Sequence, residues 1–355
     1  MVLTAQPRLR SLPPVMAERL ATVRAGVDEA RLRRHVERLD APRGRYHAAP
    51  AMTRAESYVA GELERAGWRV DRREFTVPGD SVAGVNLLAE PPGEEGADSR
   101  RPTVLIGAHL DTVPGSPGAD DNASGVACLL ELARILPELG LARHVRLAVF
   151  DEEETGLHGS RALAGELGTL GRPAAVVVFE CIGFYSALPG SQVLPSGAGL
   201  VYPGQRRRIR QRGWRGDWTL VAYRQSAGRL ARLFAECLTQ LAGPGTALLA
   251  RDALDLRLAG PLLRRYVPST EHFARSDHQP FWDIGVPAIQ ITDTADFRNP
   301  YYHQPGDTPD TLDYRRIADI AAATAVSLAG LGINCPTGGS SVRGGRSDHG
   351  CQPRR

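Results

Sequence analysis

The chain has 355 residues, of which 42% are hydrophobic and 23% are charged, values typical of globular domains rather than of disordered or membrane-embedded chains. The formal net charge is only +3, so charge alone indicates no nucleic-acid partner. All 43 basic residues are arginine, which excludes Walker-type phosphate loops, lysine Schiff bases and serine–lysine dyads.

Helical and strand-like patterns alternate along the chain. Periodicity predicts a helical stretch over 15–39, and the capping-box spacing of Thr53 and Glu56 predicts a helix that ends near Gly67. Strands are expected at 69–76, 84–90, 103–108, 144–150, 174–180 and 287–292, with further helices at 124–136, 227–241 and 311–331. This order predicts a three-layer α/β sandwich, in which helices cover both faces of a mostly parallel or mixed sheet. Ligands would bind at the carboxyl ends of the strands.

The remaining segments set the expected domain boundaries. A single folded domain is expected over 15–335, between disordered segments at 1–14 and 336–355. Segment 186–216 is rich in Gly, Pro and Arg, shows no clear element, and is expected to form a long loop beside the site. The sequence shows no secretory signal or spanning stretch, which predicts a cytoplasmic protein with no membrane partner. Five scattered cysteines argue against a disulfide framework.

The first candidate metal ligands follow the strand at 103–108. His109 and Asp111 are two residues apart and so point to the same side, where Asp111 can hold the ring nitrogen that does not face a metal. Asp120, Asp121 and Asn122 precede a helix, and Asn122 could cap that helix by itself. Two adjacent aspartates exceed what capping needs, and a carboxylate that bridges two zinc ions would explain one of them.

More carboxylates follow the next two strands. Asp151 to Glu154 is a run of four acids after a buried strand, where mutual repulsion is costly without cations. One glutamate is expected to bind zinc and its neighbour to act as general base. Glu180 ends an apolar strand, where an acid is costly to bury unless it is paired or metal-bound. This mix of nitrogen and oxygen ligands suits zinc, and spacing alone leaves His272, His278 and His303 open as the last ligand.

These motifs resemble the zinc exopeptidases of the aminopeptidase Y and bacterial leucine aminopeptidase type. The similarity rests on HLD at 109–111, GADDNASG at 118–125, EETGLHGS at 153–160, ECIGF at 180–184, SDHQPFWD at 276–283 and NPYYHQPGDTPDTLDY at 299–314. The motifs lie between residues 109 and 314, and the resemblance extends over roughly 51–331, nearly all of the expected folded domain.

The resemblance implies a ligand set for two zinc ions per chain. His109 and Glu180 would bind one ion, Glu154 and His303 the other, and Asp120 would bridge the two. It also implies a cis peptide bond after Asp120 that does not involve proline. The best-known members of the family have aspartate where Glu180 stands, although a bacterial subgroup that looks like this chain has glutamate.

The resemblance also implies the roles of the neighbouring acids. Glu153 would be the general base, with Asp111 acting beside it in catalysis, and Glu152 would not contact the metals. Asp277 and Asp121 would support the ligands or contact the substrate.

The activity implied is that of a two-zinc aminopeptidase, which uses water activated by zinc and by Glu153 to hydrolyse the N-terminal bond of peptide or aminoacyl substrates. No nucleic-acid partner is expected. The arginines of 206–215 are most simply a solvated basic loop, but a preference for acidic substrates is a hypothesis if this loop borders the site. The alternatives are a one-zinc glutaminyl cyclase, a non-catalytic interaction protein with the peptidase fold, and a hydrolase of small amides.

Overall fold

An eight-stranded mixed sheet lies at the centre of the protein, which a computed structural model describes over residues 7–77, 79, 83–91, 103–255 and 272–331. The strands are β1 (Arg69–Thr76), β2 (Ala83–Glu90), β3 (Val104–His109), β4 (Val145–Phe150), β5 (Ala175–Glu180), β6 (Thr219–Tyr223), β7 (Ala247–Arg251) and β8 (Ala288–Thr292). Their order is β1-β2-β4-β3-β5-β8-β6-β7. The central strands β4, β3, β5 and β8 are parallel, so their carboxyl ends share one edge.

Helices cover both faces of this sheet. They are α1 (Pro14–Gly26), α2 (Glu29–Arg38), α3 (Ala49–Arg65), α4 (Gly125–Glu138), α5 (His158–Leu170), α6 (Ala198–Val201), α7 (Pro203–Gln211), α8 (Gly228–Ala242), α9 (Gln279–Asp283) and α10 (Tyr314–Gly330). Side chains of α4, α8 and α10 pack on one face in the larger core cluster, whereas α5 and α9 pack on the other. The predicted three-layer α/β sandwich is therefore confirmed.

The alternation of side chains along β3 shows how the two cores form. Every residue of this strand is buried, because both faces of a central parallel strand are covered. Val104 and Ile106 belong to the larger cluster, whereas Leu105 belongs to the cluster that contains Leu163 and Phe281. This two-sided burial explains why the strand is a continuous apolar run in the sequence.

The N-terminal helices differ from the prediction. The stretch 15–39 is two helices, because the Asp28 carboxylate accepts hydrogen bonds from the N–H groups of Ala30 and Arg31 and begins a new helix there. The expected capping box is wrong: α3 begins at Ala49, and the Thr53 hydroxyl donates to the Ala49 carbonyl inside the helix.

Several elements lacked a clear signal in the sequence. Strands β6 and β7, at one edge of the sheet, have only five residues each. Helix α5 contains four small residues that are poor helix formers: Gly159, Ser160, Gly165 and Gly168. Segment 186–216, expected to be a loop, contains α6 and α7. Helix α7 buries only Gln205 and Ile209, so it has almost no apolar stripe.

The ends of the chain are described in part. Residues 7–13 precede α1, and Leu12 among them is buried in the larger core. The tail 336–355 lies outside the described residues. None of the helices in the described ranges is both long enough and apolar enough to span a bilayer.

Candidate metal centre

The carboxyl ends of the parallel strands bring the candidate ligands together. His109 ends β3, Glu180 ends β5, and Glu154 follows β4 after a short turn. Asp121 lies in the turn between β3 and α4, and His303 lies in the loop after β8. Because β3, β4 and β5 end at the same edge of the sheet, these side chains converge there.

Asp121 lies between two histidines. Its Oδ1 is 3.2 Å from Nε2 of His109, and its Oδ2 is 3.0 Å from Nε2 of His303. The same nitrogen of His109 is 3.5 Å from Oε2 of Glu180, and that of His303 is 3.2 Å from Oε2 of Glu154. The side chains thus form two adjacent groups, each with one histidine and one glutamate, that share Asp121.

Asp120, the residue expected to bridge the metals, belongs to neither group. It is fully buried, and its Oδ1 accepts a hydrogen bond from the N–H of Gly183 at 2.8 Å, while its Oδ2 accepts one from the side-chain amide of Asn299 at 2.9 Å. The cis peptide bond joins Asp121 to Asn122 and does not follow Asp120. The cis bond thus lies one residue later than expected, and Asp121 rather than Asp120 faces the histidines. Two adjacent aspartates in a turn carry no periodicity that selects the inward-facing one.

Asp111 orients both the ring of His109 and the acidic turn. Nδ1 of His109 donates to the backbone carbonyl of Asp111 at 3.1 Å, which leaves Nε2 with a lone pair that faces the carboxylates. The carboxylate of Asp111 accepts hydrogen bonds from the N–H groups of Glu153 at 3.1 Å and Glu154 at 3.0 Å. Asp111 therefore fixes the turn that carries both glutamates.

Several atoms that face the centre of the cluster are buried without a hydrogen-bond partner among the described residues. They are Nε2 of His109, Nε2 of His303, Oδ2 of Asp121 and Oε1 of Glu154. A buried acceptor left unsatisfied costs about 1–3 kcal/mol. Nitrogen lone pairs and carboxylate oxygens that converge in this way are the donor set of zinc, so these residues fit divalent cations.

The acids of the cluster are held in an environment that disfavours their charge. Burial raises the pKa of Glu153 well above its usual range; nearby His109 opposes this effect, and Glu180 and Asp277 add to it. Burial also raises the pKa of Glu154 to about 7, with a further contribution from Asp121. A cation among these groups would restore their deprotonated forms, because metal ligands must lose their protons to bind.

The metal-free protein should lose stability as pH rises from about 5 to about 8. The folded-state pKa values of Glu154 and Asp277, both about 7, lie above their unfolded values, so the folded state binds the extra protons that are lost over this range. His303, raised to about 10, acts in the same direction above its unfolded value of 6.5. We expect the Tm of chelator-treated protein to fall by roughly 5 °C or more across this range.

Thermal denaturation with and without chelator at each pH measures this effect. Zinc-loaded protein is the control, and its Tm should change less, because the cation keeps the ligands deprotonated at all of these pH values. A metal-free protein whose Tm rises with pH would contradict the assigned cluster.

Glu180 is held by Ser276, a residue for which the sequence predicted no role. Its Oε2 accepts a hydrogen bond from the hydroxyl of Ser276 at 2.7 Å, which fixes the carboxylate toward His109. The adjacent Asp277 is fully buried behind the cluster, and burial raises its pKa to about 7. Asp277 is in none of the ligand groups that the described residues form.

Two of the three candidate histidines lie outside the ligand groups. Nε2 of His278 is 2.6 Å from the carbonyl of Phe273, and its ring packs edge-on against Trp282. His272 lines the neighbouring cavity. The structure thus places only His303 of the three against the carboxylates, with the ring of Tyr302 stacked on it at 3.8 Å.

Asp307 positions the turn that carries Asp121. One of its oxygens accepts from the N–H of Asp120 at 2.8 Å, and the other accepts from the N–H of Asp121 at 3.1 Å. Asp307 belongs to the motif at 299–314, but no role was predicted for it. The one feature of the sequence that could have indicated a role for Asp307 is its position four residues after His303. Nothing in the sequence showed that this loop meets the turn at Asp120 and Asp121.

Unusual backbone conformations occur beside the ligands. Glu152, Cys181 and His303 have positive φ angles of 57°, 47° and 59°. Each such residue costs on the order of 1–3 kcal/mol, and this strain is typical of functional sites. The surrounding hydrogen bonds hold the chain in the conformation that presents Glu153, Glu180 and His303.

A cavity of about 460 Å³ opens beside the cluster. The candidate residues Asp121, Glu153, Glu154, Glu180 and His303 line one end. The wall away from them is largely apolar and includes Leu194, Ile209, Trp218, Leu220 and Leu248. Residues from 192 to 209 contribute much of the lining, so the segment expected beside the site does border it.

The protein is similar to proteins of known sequence and structure. It is 32% identical to the uncharacterized protein YfbL of Escherichia coli K12 over 281 residues, which cover 76% of this chain and 77% of that protein. The fold resembles that of the LapA aminopeptidase of Legionella pneumophila (TM-score 0.63, 15% identity, 92% of this chain and 75% of that one). It also resembles the glutaminyl cyclase of Macrostomum lignano (TM-score 0.61, 17% identity, 93% and 97%).

These structural similarities show the fold and do not separate a peptidase from a cyclase. The model of peptidase family M28 matches residues 86–210 and 234–328, which include every residue of the two candidate ligand groups. The chain belongs to peptidase family M28 and is a peptidase hydrolase.

Proposed function

We propose that the protein is a zinc aminopeptidase with two zinc ions per chain, which removes the N-terminal residue of peptides. The observation that carries this proposal is the position of Asp121, whose two oxygens face two histidines at 3.2 and 3.0 Å. A carboxylate shared in this way is the arrangement expected of a bridging ligand.

The donor set supports a division of the ligands between the two ions. His109 and Glu180 would hold one ion, Glu154 and His303 the other, and Asp121 both. Zinc bound here would supply Lewis acidity toward the scissile carbonyl and toward water. Asp111, Ser276 and Asp307 hold the ligands in place through the hydrogen bonds described above.

Glu153 is the proposed general base. Its carboxylate lies within 4.8 Å of the ligand atoms of His109 and Glu180, borders the cavity, and is absent from the group of Asp121, Glu154 and His303. Glu153 would take a proton from the attacking water and return it to the leaving amine as the peptide bond breaks. Its raised pKa supports this role, because the group must hold a proton between the two steps.

The carboxylates of the cavity support action at a free N-terminus. The end of the cavity beside the candidate ligands is lined by the carboxylates of Asp121, Glu153, Glu154 and Glu180. Two bound zinc ions would offset most of this charge, so a free amine would be held there by hydrogen bonds to carboxylate oxygens, for which an acylated amine has fewer N–H groups. We therefore propose that the substrate's free amine lies against these acids.

A panel of substrates tests the proposal on protein of measured zinc content. Aminoacyl anilides and free peptides should be cleaved, and their N-acetylated counterparts should be cleaved at least about 100-fold more slowly, because they lack the ammonium group. Cleavage only of blocked or internal bonds would overturn the aminopeptidase assignment.

Glutaminyl peptides in the same panel separate the alternatives. An aminopeptidase releases free glutamine, whereas a cyclase retains the residue and releases ammonia. Cyclisation by protein with one zinc per chain would favour the cyclase, whose fold is similar. A zinc-loaded protein inactive on the whole panel would favour a non-catalytic role.

A further inference from the structure

Helix α7 presents basic side chains beside the cavity. It buries Gln205 and Ile209, which line the cavity, and exposes Arg206, Arg207, Arg208 and Arg210. In the described part of the chain, no carboxylate pairs with any of these four arginines. Arg212 differs, because it pairs with Asp217 at 2.7 Å. The helix therefore carries charge that no carboxylate of the described ranges neutralises.

The helical repeat places these arginines differently with respect to the cavity. Gln205 and Ile209 are four residues apart and form the inward stripe, and Arg206 and Arg210 form the neighbouring stripe. Arg206 itself lines the cavity. Arg207 projects about 160° away from Ile209 at 100° per residue, so it faces away from the cavity.

A second unpaired cation lies at the rim on another element. Arg161 of α5 is exposed and lines the cavity, and its Nε donates to the carbonyl of Gly156 at 3.1 Å. No carboxylate of the described residues pairs with it. Arg275 also lines the cavity, but it is compensated by Asp296 at 3.3 Å. Among the described residues, Arg161 and Arg206 are thus two exposed cations without a carboxylate partner in the lining of the cavity whose other charged lining includes the candidate ligands.

We propose that the enzyme prefers peptides with acidic side chains on the leaving side of the scissile bond. This inference rests on the proposed function, which places the substrate's ammonium group against Glu153, Glu154 and their neighbours. The rest of the peptide must then leave through the rim, where Arg206 and Arg161 meet its side chains. Arg210 extends the basic stripe along α7 for residues farther downstream.

Two matched peptides test this preference. Leu-Ala-Asp-Asp-Ala and Leu-Ala-Asn-Asn-Ala share the first residue and the scissile bond and differ only in charge. We expect the ratio of their kcat/KM values to favour the acidic peptide by roughly fivefold or more at low ionic strength. The ratio should approach one in high salt, because both arginines are solvent-exposed and screened.

Two matched variants locate the effect on the structure. Arg206→Gln should lower the acidic-to-neutral ratio by about two- to fivefold, through a higher KM for the acidic peptide. Arg207→Gln removes the same charge from the outward face of the same helix and should leave the ratio unchanged. A wild-type ratio near one, or an equal loss in both variants, would overturn the proposal.

Failure of the acidic preference and failure of the proposed aminopeptidase function give different results in this experiment. If neither peptide loses its leucine and leucine anilide is also not cleaved, the aminopeptidase assignment fails and the preference fails with it. If both peptides are cleaved at equal rates, the aminopeptidase assignment stands and only the acidic preference is wrong.

Discussion

Glu153→Gln should retain zinc and lose activity by about 10³-fold, within the range of 10²–10⁴ for a missing general base. The amide matches the carboxylate in size but cannot take a proton from water. Glu153 lies close to His109 and Glu180 but not in the group of Asp121, Glu154 and His303, and the isosteric amide should leave all of these ligands in place. Zinc content and kcat/KM on an aminoacyl anilide, measured on the same preparation, check both parts of the prediction.

Glu152→Gln is the matched control for this variant. Glu152 is the preceding acid of the same turn, but its carboxylate accepts a hydrogen bond from the hydroxyl of Thr155 at 2.7 Å and is in none of the ligand groups of the described chain. Its activity should stay within about threefold of the parent. A Glu153→Gln protein within tenfold of the parent would show that another group acts as base.

Asp121→Asn should cost the protein at least one zinc ion per chain and about 100-fold or more in activity. Each oxygen of Asp121 faces a different histidine, and an amide nitrogen in place of one oxygen cannot bind a cation. Elemental analysis after dialysis against metal-free buffer measures the loss.

Asp120→Asn makes the same substitution one residue earlier and should have a different result. This carboxylate accepts hydrogen bonds from Gly183 and Asn299, so the amide should lower the free energy of unfolding by about 1–3 kcal/mol. The zinc content should remain at the parent value. Loss of zinc from Asp120→Asn with retention in Asp121→Asn would reassign the bridge to Asp120.

The sequence predicted the central sheet because burial leaves a strong pattern there. Strands β3 and β5 are apolar runs that end in a polar residue, and β4 ends just before Asp151. Long amphipathic helices such as α4 and α8 show clear periodicity. Helix α7 escaped prediction because its exposed face is arginine and its inner face is one glutamine and one isoleucine. Such a helix is stabilised by contacts with distant residues, which local patterns do not contain.

The ligands at strand ends could be predicted from the sequence, because the sheet fixes where strand ends lie. The residues whose positions depend on contacts between distant loops could not. His109 and Glu180 end strands, so their convergence follows from the topology of a parallel sheet. The choice between Asp120 and Asp121 depends on the conformation of one turn. That conformation is set in part by Asp307, which lies 186 residues away in sequence from Asp121 and contacts both backbone N–H groups.

Anomalous diffraction at the zinc edge, from crystals of the zinc-loaded protein, tests the central claim most directly. We expect two zinc peaks, one against His109 and Glu180 and the other against His303 and Glu154, with the carboxylate of Asp121 in contact with both. A single peak, or two peaks without Asp121 between them, would contradict the proposed two-zinc centre.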